Sequence, residues 1–240
     1  MPAPAPTTEL TILGNGYCGS RLYADYHKAK ITSRTPTHDN QLYFKLDDPK
    51  SWLNIPPSKR ILWTFACNNS PLEKQFFGFL VQRCEQIFIY STSSVYQHQF
   101  NGQIMDEMSA IDHTKNRAIA EEDYRHQGAC LLTLCGIAGP DRSPINWLKK
   151  GRIKNANKEV NLIHVDDIVS ITKILLQQEL HGLRLNLAPG KTYSWRAIAH
   201  TANYQFSPEA LAQEASMKVV ANTQLLRYLN QDYSFINPIH

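Results

Sequence analysis

The sequence predicts an α/β fold in which helices cover both faces of a doubly wound parallel sheet, and three observations carry that prediction. Short, β-rich apolar runs recur along the chain. Segments with helical spacing of apolar residues separate several of them. The runs are continuous rather than alternating, the pattern of strands buried on both faces.

The first strand is "ELTILG" at 9–14, ending in glycine. A helical stretch follows over 17–28, then a second strand, "AKITS", at 29–33. Further strands are expected at 42–46 ("LYFKL"), 60–66 ("RILWTFA"), 86–92 ("QIFIYST") and 130–136 ("CLLTLCG"), with helices over 71–83 and 114–126. Later, "VNLIHV" at 160–165 runs into a helix that Asp166 or Asp167 is expected to cap, and "LRLNLA" at 183–188 is another strand. Ser194 is expected to cap the segment 195–202. Ser207, followed by Pro208 at the first helical position, is expected to cap 209–215. No internal repeat or linker follows residue 8, so one compact unit is expected, its C-terminal third adding a smaller lobe.

A chain of 240 residues is long enough to bury a large core. Apolar residues make up 42% and charged residues 19%, the balance of an ordinary globular protein. The net charge of +4 comes from dispersed Lys and Arg rather than a basic block, which argues against a nucleic-acid partner. The five cysteines form no CxxC pair; their odd number fits a reduced, cytoplasmic protein in which they serve as small core residues. No run approaches the ~18 apolar residues that span a bilayer, so no membrane partner is expected. The start, "MPAPAPTTE", has neither the basic nor the apolar region of a secretion signal, and its Pro/Ala alternation predicts a flexible tail over 1–8.

Directly after the first strand comes Gly14-Asn15-Gly16-Tyr17-Cys18-Gly19, a GxGxxG that opens a helix in a βαβ unit. The first glycine permits a tight turn, the second lets a pyrophosphate approach, and the third lets helix and strand pack closely. The helix N-terminus adds N–H groups and a positive dipole. A dinucleotide and a Rossmann-type sheet are therefore expected. An NAD site usually carries an acid at the end of the second strand, for the ribose 2′-hydroxyl. Here the segment reads Thr32-Ser33-Arg34-Thr35. A hydroxyl and a guanidinium at Ser33 and Arg34 suit a 2′-phosphate, which favours NADP(H) while leaving NAD(H) open; the alternative is an ordinary surface arginine. Asp47 either accepts from the adenine amino group or caps a turn.

The segment "IFIYSTSSVYQ" (87–97) ends a strand in Ser/Thr residues followed by Val-Tyr. With Asp106-Glu107, "GIAGPDR" at 136–142 and "NLIHVDDIV" at 161–169, it resembles the extended branch of the short-chain dehydrogenase/reductase (SDR) superfamily, which includes NAD(P)-dependent epimerases and dehydratases. The resemblance runs from residue 9 to about 230. It implies that Thr92 is the Ser/Thr that bonds the substrate's reacting oxygen. It also implies that Ala66 and Cys67 pass beside the cofactor ribose, that 136–142 lies between nicotinamide and substrate, and that His164 and Asp167 are mainly structural. On this reading residues 9–240 form one domain. Within it 9–142 is mainly dinucleotide-binding, 143–158 and 190–240 form a small substrate lobe, and 159–189 returns to the sheet.

Active members of that superfamily carry Tyr-x-x-x-Lys at the start of the helix after the fifth strand, and this chain does not. The stretch Arg117-Ala118-Ile119-Ala120-Glu121 resembles the Lys-to-Glu spacing there, which places Arg117 at the lysine position and His113 at the tyrosine position, one helical turn earlier. Arginine can hydrogen-bond ribose hydroxyls but cannot lose a proton near neutral pH, whereas histidine can act as acid or base. The alternative is a charged helix start with no proton-transfer duty. An atypical extended SDR fits best. The acidic run Glu121-Glu122-Asp123 reads as a solvated helix face, and the C-terminal aromatics as core of the small lobe.

The expected function is an NADP(H)-dependent oxidoreductase or epimerase-like enzyme for a small carbonyl or hydroxyl substrate, with Thr92, His113 and Arg117 as its catalytic residues. The competing expectations are a non-catalytic dinucleotide-binding sensor or scaffold, and an isomerase or lyase without net redox change. A homodimer is compatible with either, and no metal site is indicated.

Overall fold

A computed structural model describes residues 5–26 and 28–239. Residues 1–4 of the expected tail, and His27 within the expected first helix, lie outside the described residues. Thr8, assigned to the tail from sequence, already opens the first strand.

The chain divides into two compact units. The first comprises residues 1–91, 112–132 and 175–184, and the second 92–111, 133–174 and 185–240. In chain order the elements run β1 (Thr8–Leu13), α1 (Tyr17–Asp25), β2 (Ala29–Ser33), β3 (Gln41–Tyr43), α2 (Pro49–Trp52), β4 (Ser58–Trp63), α3 (Pro71–Val81) and β5 (Cys84–Thr92). They continue with β6 (Gln103–Met105), α4 (Asn116–His126), β7 (Cys130–Leu134), β8 (Gly136–Ala138), α5 (Pro144–Lys149), β9 (Glu159–Val160), β10 (Leu162–His164) and α6 (Val165–Leu175). The last are β11 (Arg184–Leu187), β12 (Tyr193–Ser194), α7 (Trp195–Thr201), α8 (Pro208–Leu211) and β13 (Lys218–Val220).

Seven strands form one sheet, in the order β11-β7-β5-β4-β1-β2-β3. β1 pairs in parallel with both β2 and β4, so strand order reverses there, the point at which open α/β sheets bind ligands. Ile12 stands opposite Ile31 on one side and Leu62 on the other, and Leu62 stands opposite Phe88; none of the four is exposed. That burial is why these strands read as unbroken apolar runs. Helices flank the sheet and start where their sequences permit. Asp48 accepts from Lys50 N and Ser70 from Glu73 N, each with proline at the next position.

The first unit's core is an aromatic cluster against this sheet. The Phe76 ring centroid lies 5.0 Å from those of Phe44 and Trp52 and 5.3 Å from that of Trp63. The second unit holds three two-stranded ladders: β6 with β13 and β8 with β10, both parallel, and β9 with β12, antiparallel. Its core packs Leu148, Leu162, Trp195 and Ile198, with Tyr193, Tyr204 and Phe206 against them, so these aromatics are core as expected.

Local departures from the expected elements have identifiable causes. The run 130–136 is two strands, because at Gly136 the chain closes on Asn161, whose carbonyl accepts from Gly136 N at 2.9 Å. A Cβ at Gly136 would come within 3.0 Å of that oxygen. Neither Asp166 nor Asp167 caps α6, which begins at Val165. His164 Nδ1 instead accepts from Asp166 N at 3.2 Å. Asp167 is buried and accepts from Tyr233 Oη and Ile236 N, each at 2.9 Å. Helix α4 begins at Asn116 rather than Thr114. Asp112 Oδ1 accepts from Thr114 N and Thr114 Oγ1, and Lys115 N donates to Asp112 O, which closes a turn ahead of the helix.

Truncation of Phe76 to alanine should cost about 3–5 kcal/mol, because the ring is wholly buried among rigid aromatics that cannot collapse into the space. Urea denaturation followed by tryptophan fluorescence measures it; a loss under about 1 kcal/mol would mean the cluster repacks.

Candidate functional site

At the C-terminal ends of β1, β2 and β4 lies a cavity of about 890 Å³. Gly14, Asn15 and Gly16 line it from the loop after β1, and Ser33 and Arg34 from the end of β2. Lys45 and Asp47 line it beyond β3, and Thr64, Phe65 and Asn68 after β4. The glycine loop is set by three different constraints. Gly14 has φ +106°, a conformation side chains rarely adopt, and a Cβ there would meet Thr64 Oγ1 at 2.7 Å. Gly14 N donates to Thr32 Oγ1 at 2.9 Å, while Thr64 Oγ1 donates to Leu13 O at 2.8 Å. Gly19 is excluded from carrying a Cβ by Gly14 O, which would lie 2.2 Å away. A Cβ at Gly16 would meet nothing within 4 Å, so its place beside the N-terminus of α1 is open space. An N-terminus with open space in front of it suits a phosphate.

The rest of the motif turns away from the cavity. Cys18 and Gly19 are buried in α1, and Tyr17 stacks under the Arg21 guanidinium, 3.7 Å from the ring centroid. At the far rim, the Ser33 hydroxyl accepts from Thr35 N at 3.2 Å, and Arg34 and Asp47 are exposed.

The loop after β4 is held from below by Glu73. This fully buried carboxylate accepts from Asn68 N at 2.8 Å, Asn69 N at 3.0 Å and Tyr124 Oη at 3.1 Å, while Ser70 Oγ accepts from Glu73 N. It is a capping box extended into the loop, and Ser70-Pro71-Leu72-Glu73 is its sequence signal. Ala66 is exposed on this loop, whereas Cys67 is buried in the aromatic core, and neither lines the cavity. Burial, reinforced by the negative charges of Glu121 and Glu73, pushes the Cys67 thiol well up, so it stays protonated.

The acidic run on α4 is not a solvated face. Glu121 has no exposed surface, Glu122 is half-buried, and only Asp123 of the three is exposed. Glu121 accepts from Ser91 Oγ and from Arg117 Nε at 2.6 Å, and Arg117 Nη2 donates to Tyr90 O at 2.7 Å. Arg184 donates to Ser91 Oγ at 3.4 Å and to Glu122 at 2.6 Å; Arg125 also holds Glu122, at 2.8 Å. Burial pushes the Glu121 carboxyl up against the pull of Arg117, whereas bonds from Arg125 and Arg184 hold that of Glu122 down despite its half-burial. Arg117 is thus committed through Nε to Glu121 on its own helix and through Nη2 to Tyr90 O on β5. His113 is exposed in the turn before α4, outside the helix, so the one-turn spacing that paired it with Arg117 does not apply. The sequence signal missed here was period. Arg117, Glu121 and Tyr124 fall at i, i+4 and i+7, one face of the helix.

In the second unit Thr92 is half-buried at the end of β5. Its Oγ1 accepts from Ser94 N at 3.4 Å and Ser94 Oγ at 3.3 Å, capping a 3₁₀ turn over Ser93–Val95. Glu107 is buried as well; it accepts from Asn186 N at 3.3 Å and Leu225 N at 3.4 Å, a structural placement. Among the described residues no group of three or more His, Cys, Asp or Glu is placed to hold a metal ion, and no helix is long and apolar enough to cross a membrane.

The chain shares its fold with solved epimerase and dehydratase structures. Over 95% of its length it superposes on a conserved protein of unknown function from Silicibacter pomeroyi DSS, with a TM-score of 0.69, 20% identity and 94% of that chain covered. On dTDP-glucose 4,6-dehydratase from Bacillus anthracis, solved with NAD, the TM-score is 0.72 at 11% identity, covering 95% of this chain and 93% of the other. On UDP-N-acetylglucosamine 4-epimerase from Methanobrevibacter ruminantium it is 0.71 at 13% identity, covering 96% and 94%. No family model matches the chain. Among curated proteins, protein YeeZ of Escherichia coli K12 is 26% identical over 136 residues, an alignment covering 54% of this chain and 46% of YeeZ. The chain spans about half the length of the curated relatives it matches.

Replacement of Arg117 by methionine leaves the buried Glu121 charge without its nearest counterion and should cost about 3 kcal/mol. Without Arg117, burial pushes the Glu121 carboxyl further up. The folded state then binds a proton that the unfolded state releases, and stability falls as pH rises above the ordinary carboxylate value. Denaturant midpoints at pH 5 and pH 8 read this directly. An equal loss at both would show that the Glu121 carboxyl is not pushed further up without Arg117.

Proposed function

We propose that this protein is an NADP(H)-dependent oxidoreductase or epimerase-like enzyme acting on a small carbonyl or hydroxyl compound. The observation that carries this reading is the cavity itself. A glycine loop and a helix N-terminus stand at one end, and at the other the second strand ends in Ser33 and Arg34 where an NAD site would place an acid. The dehydratase of the same fold solved with NAD supports a nicotinamide dinucleotide at such a loop. In this assignment Gly14, Asn15 and Gly16 and the N-terminus of α1 receive the pyrophosphate, while Gly19 lets the helix pack closely on the loop. Arg34 and Ser33 take the 2′-phosphate, and Asp47 takes the adenine amino group. Ala66 and the Cys67 backbone flank the ribose. The bound nicotinamide would supply the hydride chemistry. The chain's own part is to orient: Thr92 is the hydroxyl assigned to the substrate oxygen, His113 the residue assigned to proton exchange with water, and Arg117 the one assigned to the ribose. A cytoplasmic setting and a homodimer belong to the same proposal, with no nucleic-acid or membrane partner.

One observation favours a second reading, a dinucleotide-binding protein without turnover. Arg117 is tied to Glu121 and Tyr90, and His113 lies outside α4, so the positions assigned to the dyad do not form a helical Tyr-x-x-x-Lys equivalent.

Fluorescence titration with NADPH and NADH tests the cofactor. NADPH should bind at least tenfold tighter, and Arg34→Ala should remove most of that ratio, on the scale of one charge-assisted contact worth about 1.5–3 kcal/mol. A ratio near one, or one unchanged in the variant, refutes the phosphate assignment. For turnover, Thr92→Ala and His113→Ala should each slow NADPH oxidation about 10²-fold or more with any carbonyl the protein reduces. Unchanged rates in both favour the second reading.

A further inference from the structure

A cation sits beside the Thr92 turn that neither the glycine motif nor the expected dyad accounts for. Lys218 opens β13, and its Nζ donates to Ser93 O at 3.3 Å. Its backbone is held tightly. The side chain of Asn161, itself buried, donates to Lys218 O and accepts from Val220 N, both at 2.8 Å, and β13 pairs with β6 from Lys218 to Val220. From this strand the ammonium reaches the 92–94 turn, where Ser93 O accepts from it. Buried Cys135 also bonds the Ser93 side chain; burial pushes its thiol up to about 12, so it is neutral and the ammonium supplies the charge of the cluster. The Thr92 hydroxyl accepts from Ser94 N and Ser94 Oγ, which leaves its own proton to be donated outward. The turn therefore presents two donors, a hydroxyl and an ammonium, in a half-buried place where charge is poorly screened.

We propose that Lys218 is the cationic residue of the Thr92 site, and that this site takes a hydroxy or oxo compound bearing a carboxylate beside its reacting oxygen. The inference rests on the assignment of Thr92 to the substrate oxygen made above. Two donors on one turn suit the two oxygens of one carboxylate, or one carboxylate oxygen and the neighbouring carbonyl. A neutral sugar hydroxyl would gain less from the ammonium than a carboxylate does.

Benzoate and benzamide, alike in shape and different in charge, test this without knowledge of the physiological substrate. Saturation-transfer NMR on the full chain, with and without NADP⁺, should show benzoate binding about tenfold tighter than benzamide, or about 1.4 kcal/mol. Lys218→Met should abolish the difference, Lys218→Arg should retain most of it, and NADPH affinity should stay within twofold in both. In the wild type with reductively ¹³C-methylated lysines, the Lys218 resonance, assigned by its loss in Lys218→Arg, should move on adding benzoate and stay still with benzamide. That measurement holds even where the methionine variant fails to fold. Equal binding of the two probes, binding of neither, or a preference that survives in Lys218→Met overturns the proposal. Loss of NADPH binding with the benzoate preference intact would remove the cofactor reading and leave Lys218 standing.

Discussion

The buried carboxylate of Glu121 is the constraint around which the start of α4 and the end of β5 are organised. A carboxylate with no exposed surface is tolerated only where donors surround it. Glu121 collects Arg117 from its own helix and Ser91 from β5, with Arg184 bonded to the same serine. The guanidinium of Arg117 cannot meet this demand and move freely. By also binding Tyr90 O it becomes a clamp between α4 and the last residues of β5. An arginine at this place is therefore not a lysine with a different head group. Its fork serves two acceptors at once, where an ammonium would act as a point charge.

The cavity end of the first unit depends on a second buried carboxylate in much the same way. Glu73 gathers two backbone N–H groups and a tyrosine hydroxyl, and so fixes the loop after β4 that forms one cavity wall. Thr32 and Thr64, from the strands on either side of β1, fasten the glycine loop through Gly14 N and Leu13 O. The Gly14 end of the loop is thus fixed by two threonine side chains, and the space in front of Gly16 is open. Such pre-organisation lets a loop of small residues bind a charged ligand without first paying to order itself.

The solved structures that share this fold do so at 11–20% identity. Similarity at that level is retained by apolar runs, turn glycines and strand order, which many sequences satisfy, and it leaves the chemistry of the site unspecified. The chemistry of this chain's own sites lies in a few polar residues. An arginine stands at the end of β2, Arg117 pairs with Glu121 on α4, and Lys218 reaches the turn after Thr92.

The parallel sheet, the strand "AKITS", the glycine loop and the proline-started α3 were legible in the sequence, because each depends on neighbours in the chain. Apolar continuity reports burial on both faces, Gly14 reports a positive φ, and Ser70-Pro71 reports a helix start. Contacts between distant segments left weaker traces or none. The acidic run at 121–123 read as solvated because charge alone does not reveal a counterion on another strand; Ser91 and Arg184 lie 30 and 93 residues or fewer from their partners in this network. The split of 130–136 at Gly136 required Asn161, and the start of α4 at Asn116 required the Asp112 turn. Lys218 carried no motif at all and gained its meaning from a carbonyl 125 residues away. Local order follows from propensity and periodicity, which neighbouring residues determine. The placement of buried charge is decided by tertiary structure, because the desolvation of an ion is offset only by partners that the fold brings within hydrogen-bonding distance.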